Sequence, residues 1–168
     1  MSMSMYDLSI PVLSRALVNL RQLLAKGAAH ADARKLDATA LTAFRLFPDM
    51  FPLTRQVMIA TDMAKGCAAR LAGVEVPKYE DNESTFAELI ARVDKTLAFV
   101  QSVSKPQIDG SETRAIVLKS PRGDMNFKGY DYLMFFVLPN LHFHCTTTYN
   151  ILRHNGVELG KLDYLGQP

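Results

Sequence analysis

Residues 8–25 read LSIPVLSRALVNLRQLLA, and their apolar side chains recur at spacings of three and four. This period places the apolar residues on one face of an α-helix, with Arg15, Asn19 and Arg21 mainly on the other face. Pro11 lies early in the pattern, where a missing N–H costs least. The stretch therefore predicts a long amphipathic helix over about residues 5–30.

Two more stretches have the same period and recognisable helix ends. The second predicted helix begins with Pro52 in its first turn and ends at Gly73, because glycine readily adopts the left-handed conformation that terminates helices. The third begins at Thr85, which forms a capping box with Glu88, and continues to about Val103. Many side chains of the second helix are small, which favours close approach of a neighbouring helix.

The hydrophobic period changes after the third helix. Residues 113–118 are prone to form a strand, residues 120–124 have turn chemistry, and residues 125–127 alternate apolar and polar side chains. This pattern predicts a small β-hairpin. A fourth helix follows over residues 130–154, in which Pro139 predicts either a kink or a late first turn.

These elements predict an all-α fold, a four-helix bundle with a small β-hairpin between helices three and four. We expect a single domain over residues 1–168, because a chain of this length, 48% hydrophobic, can bury one stable core. Asp37 predicts a short helical turn over residues 38–43, and Lys105-Pro106 is expected to end the third helix. The tail, residues 157–168, is expected to form no further element.

Composition excludes several classes of protein. The net charge of +2 and the lack of tryptophan argue against a nucleic-acid partner. The longest apolar stretch, residues 132–138, is far below the ~20 residues that span a bilayer, and the N-terminal residues lack a signal-peptide pattern. We therefore expect a cytoplasmic protein without a membrane partner.

Cys67 and Cys145 are expected to be buried free thiols, with a disulfide as the other possibility.

The candidate for chemistry is a polar cluster on the fourth helix. Asn140 and His144 lie one turn apart on a stripe whose other members are mostly apolar. An imidazole in such a place predicts a core pocket in which His144 is a metal ligand or a general base. The alternative is a buried histidine that a hydroxyl or a carbonyl satisfies.

The other histidines are poor partners for His144. His142 lies about 200° around the helix from it, His154 lies about 15 Å along the axis, and His30 ends the first helix. A catalytic metal ion normally has three protein ligands. Oxygen donors for the same interior are available on the second helix and on tyrosines, namely Gln56, Asp62, Tyr132 and Tyr149.

Several blocks of the sequence resemble a bacterial family of domains of unknown function. This family is allied to the DinB/YfiT-like superfamily of metal-dependent four-helix bundles, and the resemblance covers nearly the whole chain. The blocks are DMFPLTRQV (residues 49–57), RLAGV (70–74), PNLHFH (139–144), YNILRHNGV (149–157), LGK (159–161) and DYLG (163–166).

The resemblance implies a hairpin before the last helix, a homodimer and one metal ion. In DinB-like proteins a histidine of the second helix and an HxxxH pair of the fourth helix hold the metal. Aligning the LRxxG ending places Asn140 and His144 at the HxxxH pair and Gln56 near the second-helix histidine. Only His144 matches a ligand type of the family, so the triad is degenerate.

We therefore expect a DinB-like protein whose core pocket, formed by Gln56, Asn140, His144, Thr148 and Tyr149, binds a small molecule or a divalent metal. His144 would be the base or the sole imidazole ligand. Zinc or nickel is the implied metal, although no cofactor at all is the leading expectation. The alternative is a non-catalytic structural or stress-associated dimer, in which the polar stripe is a satisfied buried network. The sequence leaves open whether the protein is an enzyme.

Overall fold

The computed structural model describes residues 3–121 and 123–166, so Arg122 of the predicted turn lies outside the described residues. Within these ranges the chain is mostly helical and has one two-stranded antiparallel hairpin, as predicted. The helices are α1 (Met5–Arg34), α2 (Ala38–Thr42), α3 (Leu53–Ala72), α4 (Phe86–Ser102), α5 (Lys105–Ile108), α6 (Gly129–Asp131), a π-helical segment (Tyr132–Val137), α7 (Leu138–His154) and α8 (Lys161–Leu165). The strands are β1 (Ala115–Leu118) and β2 (Met125–Lys128).

The predicted helix ends are formed by the expected local interactions. Thr85 and Glu88 make the reciprocal capping box that begins α4. Hydrogen bonds from the backbone of Ser84 and Thr85 lower the pKa of the Glu88 carboxyl to about 2, because they stabilise its charged form. Gly73 ends α3 with a φ of 72°, a left-handed conformation that glycine adopts without strain.

The core lies between the four long helices. Helix α1 packs against α4 and α7, and α3 packs against the same two helices from the other side. Gly27 allows close approach within this core, since a Cβ atom there would press on Leu152 of α7 and Phe86 of α4. The hairpin pairs Ile116 with Phe127. No helix within the described ranges has the length and apolar character needed to cross a membrane.

Three sequence predictions about element ends are wrong. Helix α1 continues to Arg34, beyond the predicted end near residue 30. Lys105-Pro106 does not simply end the third helix but begins α5, because Ser104 and Gln107 form a capping box and proline suits a first turn. The tail does form an element, the short helix α8.

Helix α8 forms because polar side chains of α1 hold its backbone. The Asn19 amide donates to the Tyr164 carbonyl, and Arg15 donates to the Leu165 carbonyl. The Lys26 ammonium pairs with the Asp163 carboxylate at 2.6 Å. These contacts with α1 stabilise α8, which buries none of its five residues.

Pro139 lies in the first turn of α7, which is the second of the two predicted alternatives. The preceding turns are π-helical, and the Leu138 N–H donates to the Leu133 carbonyl five residues back. Proline has no N–H to donate and crowds the carbonyl four residues before it. The wider π-helical turns relieve this crowding, so the chain continues without a break.

The guanidinium of Arg92 is buried among the helices. Arg92 of α4 is 3% exposed and donates to the Thr61 hydroxyl and the Asp62 carboxylate of α3. It also donates to both carboxylate oxygens of Glu83 at 3.0 and 3.1 Å. Although desolvation disfavours its charge, the hydrogen bond to Glu83 and the nearby carboxylates raise the pKa of Arg92. The Arg92 guanidinium therefore connects the loop before α4 to α3 and α4.

We predict that Arg92→Met destabilises the protein by roughly 3 kcal/mol, because Glu83 loses the cation that compensates its largely buried charge and Asp62 keeps only Lys65. Urea denaturation measures the change. The matched control is Arg21→Met, since Arg21 pairs with Asp94 where both side chains are 45% exposed, and such pairs contribute below about 1 kcal/mol. Equal losses in the two variants would contradict a special role for Arg92.

Candidate functional site

The structure brings two of the predicted site residues together. His144 of α7 is 7% exposed and Gln56 of α3 is 2% exposed. The His144 Nδ1 and the Gln56 Oε1 lie 2.6 Å apart, and the Gln56 Nε2 donates to the Phe51 carbonyl at 3.0 Å. The site thus joins the N-terminal end of α3 to the middle of α7.

These contacts define the proton positions on the imidazole. The Phe51 carbonyl can only accept a hydrogen bond, so the nitrogen of the Gln56 amide faces it and the amide oxygen faces His144. The Nδ1 atom must then carry a proton and donate. In the neutral ring Nε2 retains its lone pair, and no group of residues 3–121 or 123–166 hydrogen-bonds it.

The surroundings favour the neutral ring. Desolvation by burial lowers the pKa of His144 below its ordinary value, and the positive charge of Arg55 lowers it further. Arg55 itself forms an ion pair with Asp81, which also contacts Arg92. The imidazole is therefore an uncharged acceptor at neutral pH.

The other predicted site residues use their polar groups within their own helix or at its far end. The Asn140 amide donates to the Phe136 carbonyl at 2.6 Å, and the Thr148 hydroxyl donates to the His144 carbonyl at 2.9 Å. The Tyr149 hydroxyl donates to the Leu159 carbonyl in the segment before α8. None of the three hydrogen-bonds the His144 ring.

His144 lines none of four cavities found along the described chain, so the core pocket at His144 stays a prediction. The imidazole has an aromatic neighbour. Phe143, which is 57% exposed, packs edge-on against the imidazole with ring centroids 5.2 Å apart. An aromatic ring therefore lies directly beside the imidazole.

The donors do not fit the metal centre that the resemblance implies. Within residues 3–121 and 123–166 no three His, Cys, Asp or Glu side chains converge as a ligand set. The Gln56 oxygen is occupied by the His144 Nδ1–H, and the Asn140 amide is bonded within its helix. One imidazole and two neutral amides are a weak set for a divalent ion.

The two cysteines are free and buried, as predicted. Burial raises the pKa of the Cys145 thiol to about 12 and raises the pKa of Cys67 as well. Since the thiolate is the reactive form, neither residue is suited to nucleophilic chemistry at neutral pH.

Sequence reasoning did not single out Phe51, Arg55 or Phe143 as parts of the site. Phe51 contributes only its backbone carbonyl. Every residue type has this group, so the sequence does not indicate the role of Phe51. Arg55 is one position before Gln56 and acts through its charge on a residue 89 positions away. The nearest signal was the DMFPLTRQV block itself, which contains both Phe51 and Arg55 next to Gln56.

Comparison with known proteins places the chain in a family. Residues 5–165 match the model of "Domain of unknown function (DUF1993)". The chain is also similar to a crystal structure of a DinB family member protein from Shewanella denitrificans, with 41% sequence identity and a TM-score of 0.88. That match covers 97% of this chain and 92% of the other. No curated protein matches the chain significantly.

The chain therefore belongs to the DUF1993 family and has a DinB-like fold. This confirms the family resemblance read from the sequence blocks. The family model carries no assigned function, so the chemistry of this chain rests on its own residues.

We predict that acid weakens the folded state through His144. Its pKa is lowered in the folded protein, so the unfolded chain binds the proton more tightly and stability falls as the pH drops below about 6.5. One proton limits the slope to about 1.4 kcal/mol per pH unit. Urea denaturation between pH 7 and pH 5 should show a flatter profile for His144→Gln than for the wild type.

The matched control for this experiment is His142→Gln, which removes an exposed imidazole two residues away. Its profile should keep the wild-type dependence on pH. A wild-type slope that persists in His144→Gln would show that another group causes it.

Proposed function

We propose that this DinB-like protein binds a small molecule through the neutral His144 imidazole, without a metal ion. The observation that carries the proposal is the chain of hydrogen bonds from His144 through Gln56 to the Phe51 carbonyl. It fixes the tautomer and the ring orientation, and it leaves the lone pair of Nε2 without a hydrogen-bond partner among the described residues. In this arrangement the four long helices act as a DinB-like four-helix bundle that holds α3 and α7 in register.

The chemistry of the site selects the class of ligand. Nε2 accepts a hydrogen bond, so the ligand carries an O–H or N–H donor. The exposed ring of Phe143 beside it favours an apolar or aromatic body, which would be buried against that ring. A simple phenol combines both features.

The same lone pair supports acid–base chemistry on a bound substrate. If Nε2 takes a proton, the Nδ1–H bond to the Gln56 oxygen holds the ring and disperses its new charge. A carboxamide stabilises an imidazolium less than a carboxylate does, and Arg55 opposes the charge. Binding is therefore the part of the function that the geometry supports best.

We predict that phenol binds at the His144 Nε2 atom. Nitrogen-15 NMR of histidine side chains follows this directly, because a hydrogen bond to an unprotonated ring nitrogen moves its resonance. Titration of the wild type with phenol should shift the Nε2 signal of His144 and leave that of His154 unchanged. Gln56→Leu should weaken phenol binding roughly tenfold, since it removes the contact that orients the ring, about 1.4 kcal/mol.

A matched control for Gln56→Leu is Gln22→Leu, which makes the same change on an exposed position of α1. Its phenol affinity should equal that of the wild type.

Metal analysis of untagged protein supplies the second arm of this test. Stoichiometric zinc or nickel that disappears in His144→Ala would overturn the metal-free proposal.

The exposed aromatic residues favour the structural dimer as a second candidate. Phe47, Phe51 and Phe143 are all exposed, and large apolar groups of this kind are common at protein interfaces. Phe51 and Phe143 adjoin the His144 site, so a second copy of the chain would cover that site on binding.

If this face forms the dimer, Phe143→Ser should convert the protein to a monomer at micromolar concentration. Light scattering after size-exclusion chromatography measures the mass. Phe135→Ser is the control, since Phe135 lies eight residues before Phe143, roughly 12 Å along the helix axis. A monomeric wild type would remove this candidate without affecting phenol binding.

A further inference from the structure

We propose a second binding site, separate from His144, for a small apolar molecule about the size of one aromatic ring. The site is a cavity of about 210 Å³ between α1, α7 and the C-terminal helix α8. Its lining is mostly apolar and consists of Val12, Arg15, Ala16, Asn19, Leu20, Leu23, His142, Cys145, Tyr164 and Leu165.

The size of this cavity is the first argument. Protein interiors are close-packed, and voids much larger than a water molecule are few because their walls lose van der Waals contacts. An apolar cavity of roughly 150 Å³ in another protein stays dry and binds benzene. A cavity of about 210 Å³ is therefore large enough for one ring, and its mostly apolar lining favours an apolar occupant.

The polar groups of the lining indicate an apolar ligand. The Asn19 amide donates to the Tyr164 carbonyl, and Arg15 donates to the Leu165 carbonyl. The His142 Nδ1 lies 3.3 Å from the Tyr164 hydroxyl. These groups already form hydrogen bonds with α8, which lies over the cavity. A polar ligand would have to break those bonds to pair with them.

Helix α8 provides a way in. None of its residues is buried, and it is held to α1 largely by the polar contacts of Asn19, Arg15 and Lys26. Segments with little buried apolar area open at low free-energy cost. The α8 segment can therefore move aside to admit a ligand and close over it.

Cys145 distinguishes this site from the His144 site. The two residues are adjacent on α7 and point about 100° apart, so His144 faces α3 while Cys145 lines the cavity beside α1. The Cys145 thiol is uncharged, since burial raises its pKa to about 12. It acts as an apolar part of the wall.

Benzene is the probe that tests the proposal, because it has no donor for His144. We predict that saturating benzene raises the Tm of the wild type, since a ligand that binds only the folded state stabilises it. Ala16→Leu should fill part of the cavity and weaken benzene binding at least tenfold. Ala25→Leu, on the opposite side of α1 and exposed, is the matched control and should bind benzene as the wild type does.

Intermolecular NOEs on the wild type keep the test decisive if Ala16→Leu fails to fold. Benzene protons should show NOEs to the methyl groups of Leu20 and Leu23 and leave the His144 Nε2 resonance unchanged. The absence of those NOEs, or equal benzene affinity in Ala16→Leu and the wild type, would overturn this site. Phenol binding at His144 is measured by the nitrogen-15 resonance of Nε2, whereas benzene binding is measured by proton NOEs. Either proposal can therefore fail without the other.

Discussion

The buried guanidinium of Arg92 is the constraint around which this structure is organised. A buried cation must be matched by acceptors, and here α3 and the loop between α3 and α4 supply them. Asp81 links this network to Arg55, whose charge acts on His144. Although desolvation opposes it, hydrogen bonding and the charges of Arg55 and Arg92 keep the pKa of Asp81 low, so the links stay ionised at neutral pH. The charge of Arg55 at the candidate site is thus connected, through Asp81, to the buried ion pairs of Arg92.

The candidate site differs in kind from the metal centre expected of DinB-like proteins. The Gln56 oxygen bonds His144 directly, so an amide–imidazole pair occupies positions that resemble the family's ligands. This pair is neutral, and the His144 Nδ1–H and one N–H of Gln56 each face an acceptor. A metal ion could take only the Nε2 lone pair of a single imidazole, because the Gln56 oxygen already accepts from Nδ1.

The end of the chain shows how tertiary contacts create structure that local propensity does not predict. Residues 161–165 are too few to form a stable helix alone, yet α1 holds them through hydrogen bonds to their carbonyl groups. The same contacts place Tyr164 and Leu165 over apolar residues of α1 and α7, and the space left beneath them is the proposed benzene-sized cavity. The wrong prediction for the tail and the missed cavity therefore have one cause.

The sequence by itself determined the long helices, the hairpin and most helix boundaries, because periodicity, capping boxes and left-handed glycines act over a few residues. It also determined the family, and through it the pairing of Gln56 with His144 as one candidate site. Only the tertiary structure decided that Gln56 points its oxygen at His144, since a backbone carbonyl, that of Phe51, orients the amide. Only the tertiary structure decided where the cavity lies, because packing between α1, α7 and α8 depends on side chains more than a hundred residues apart.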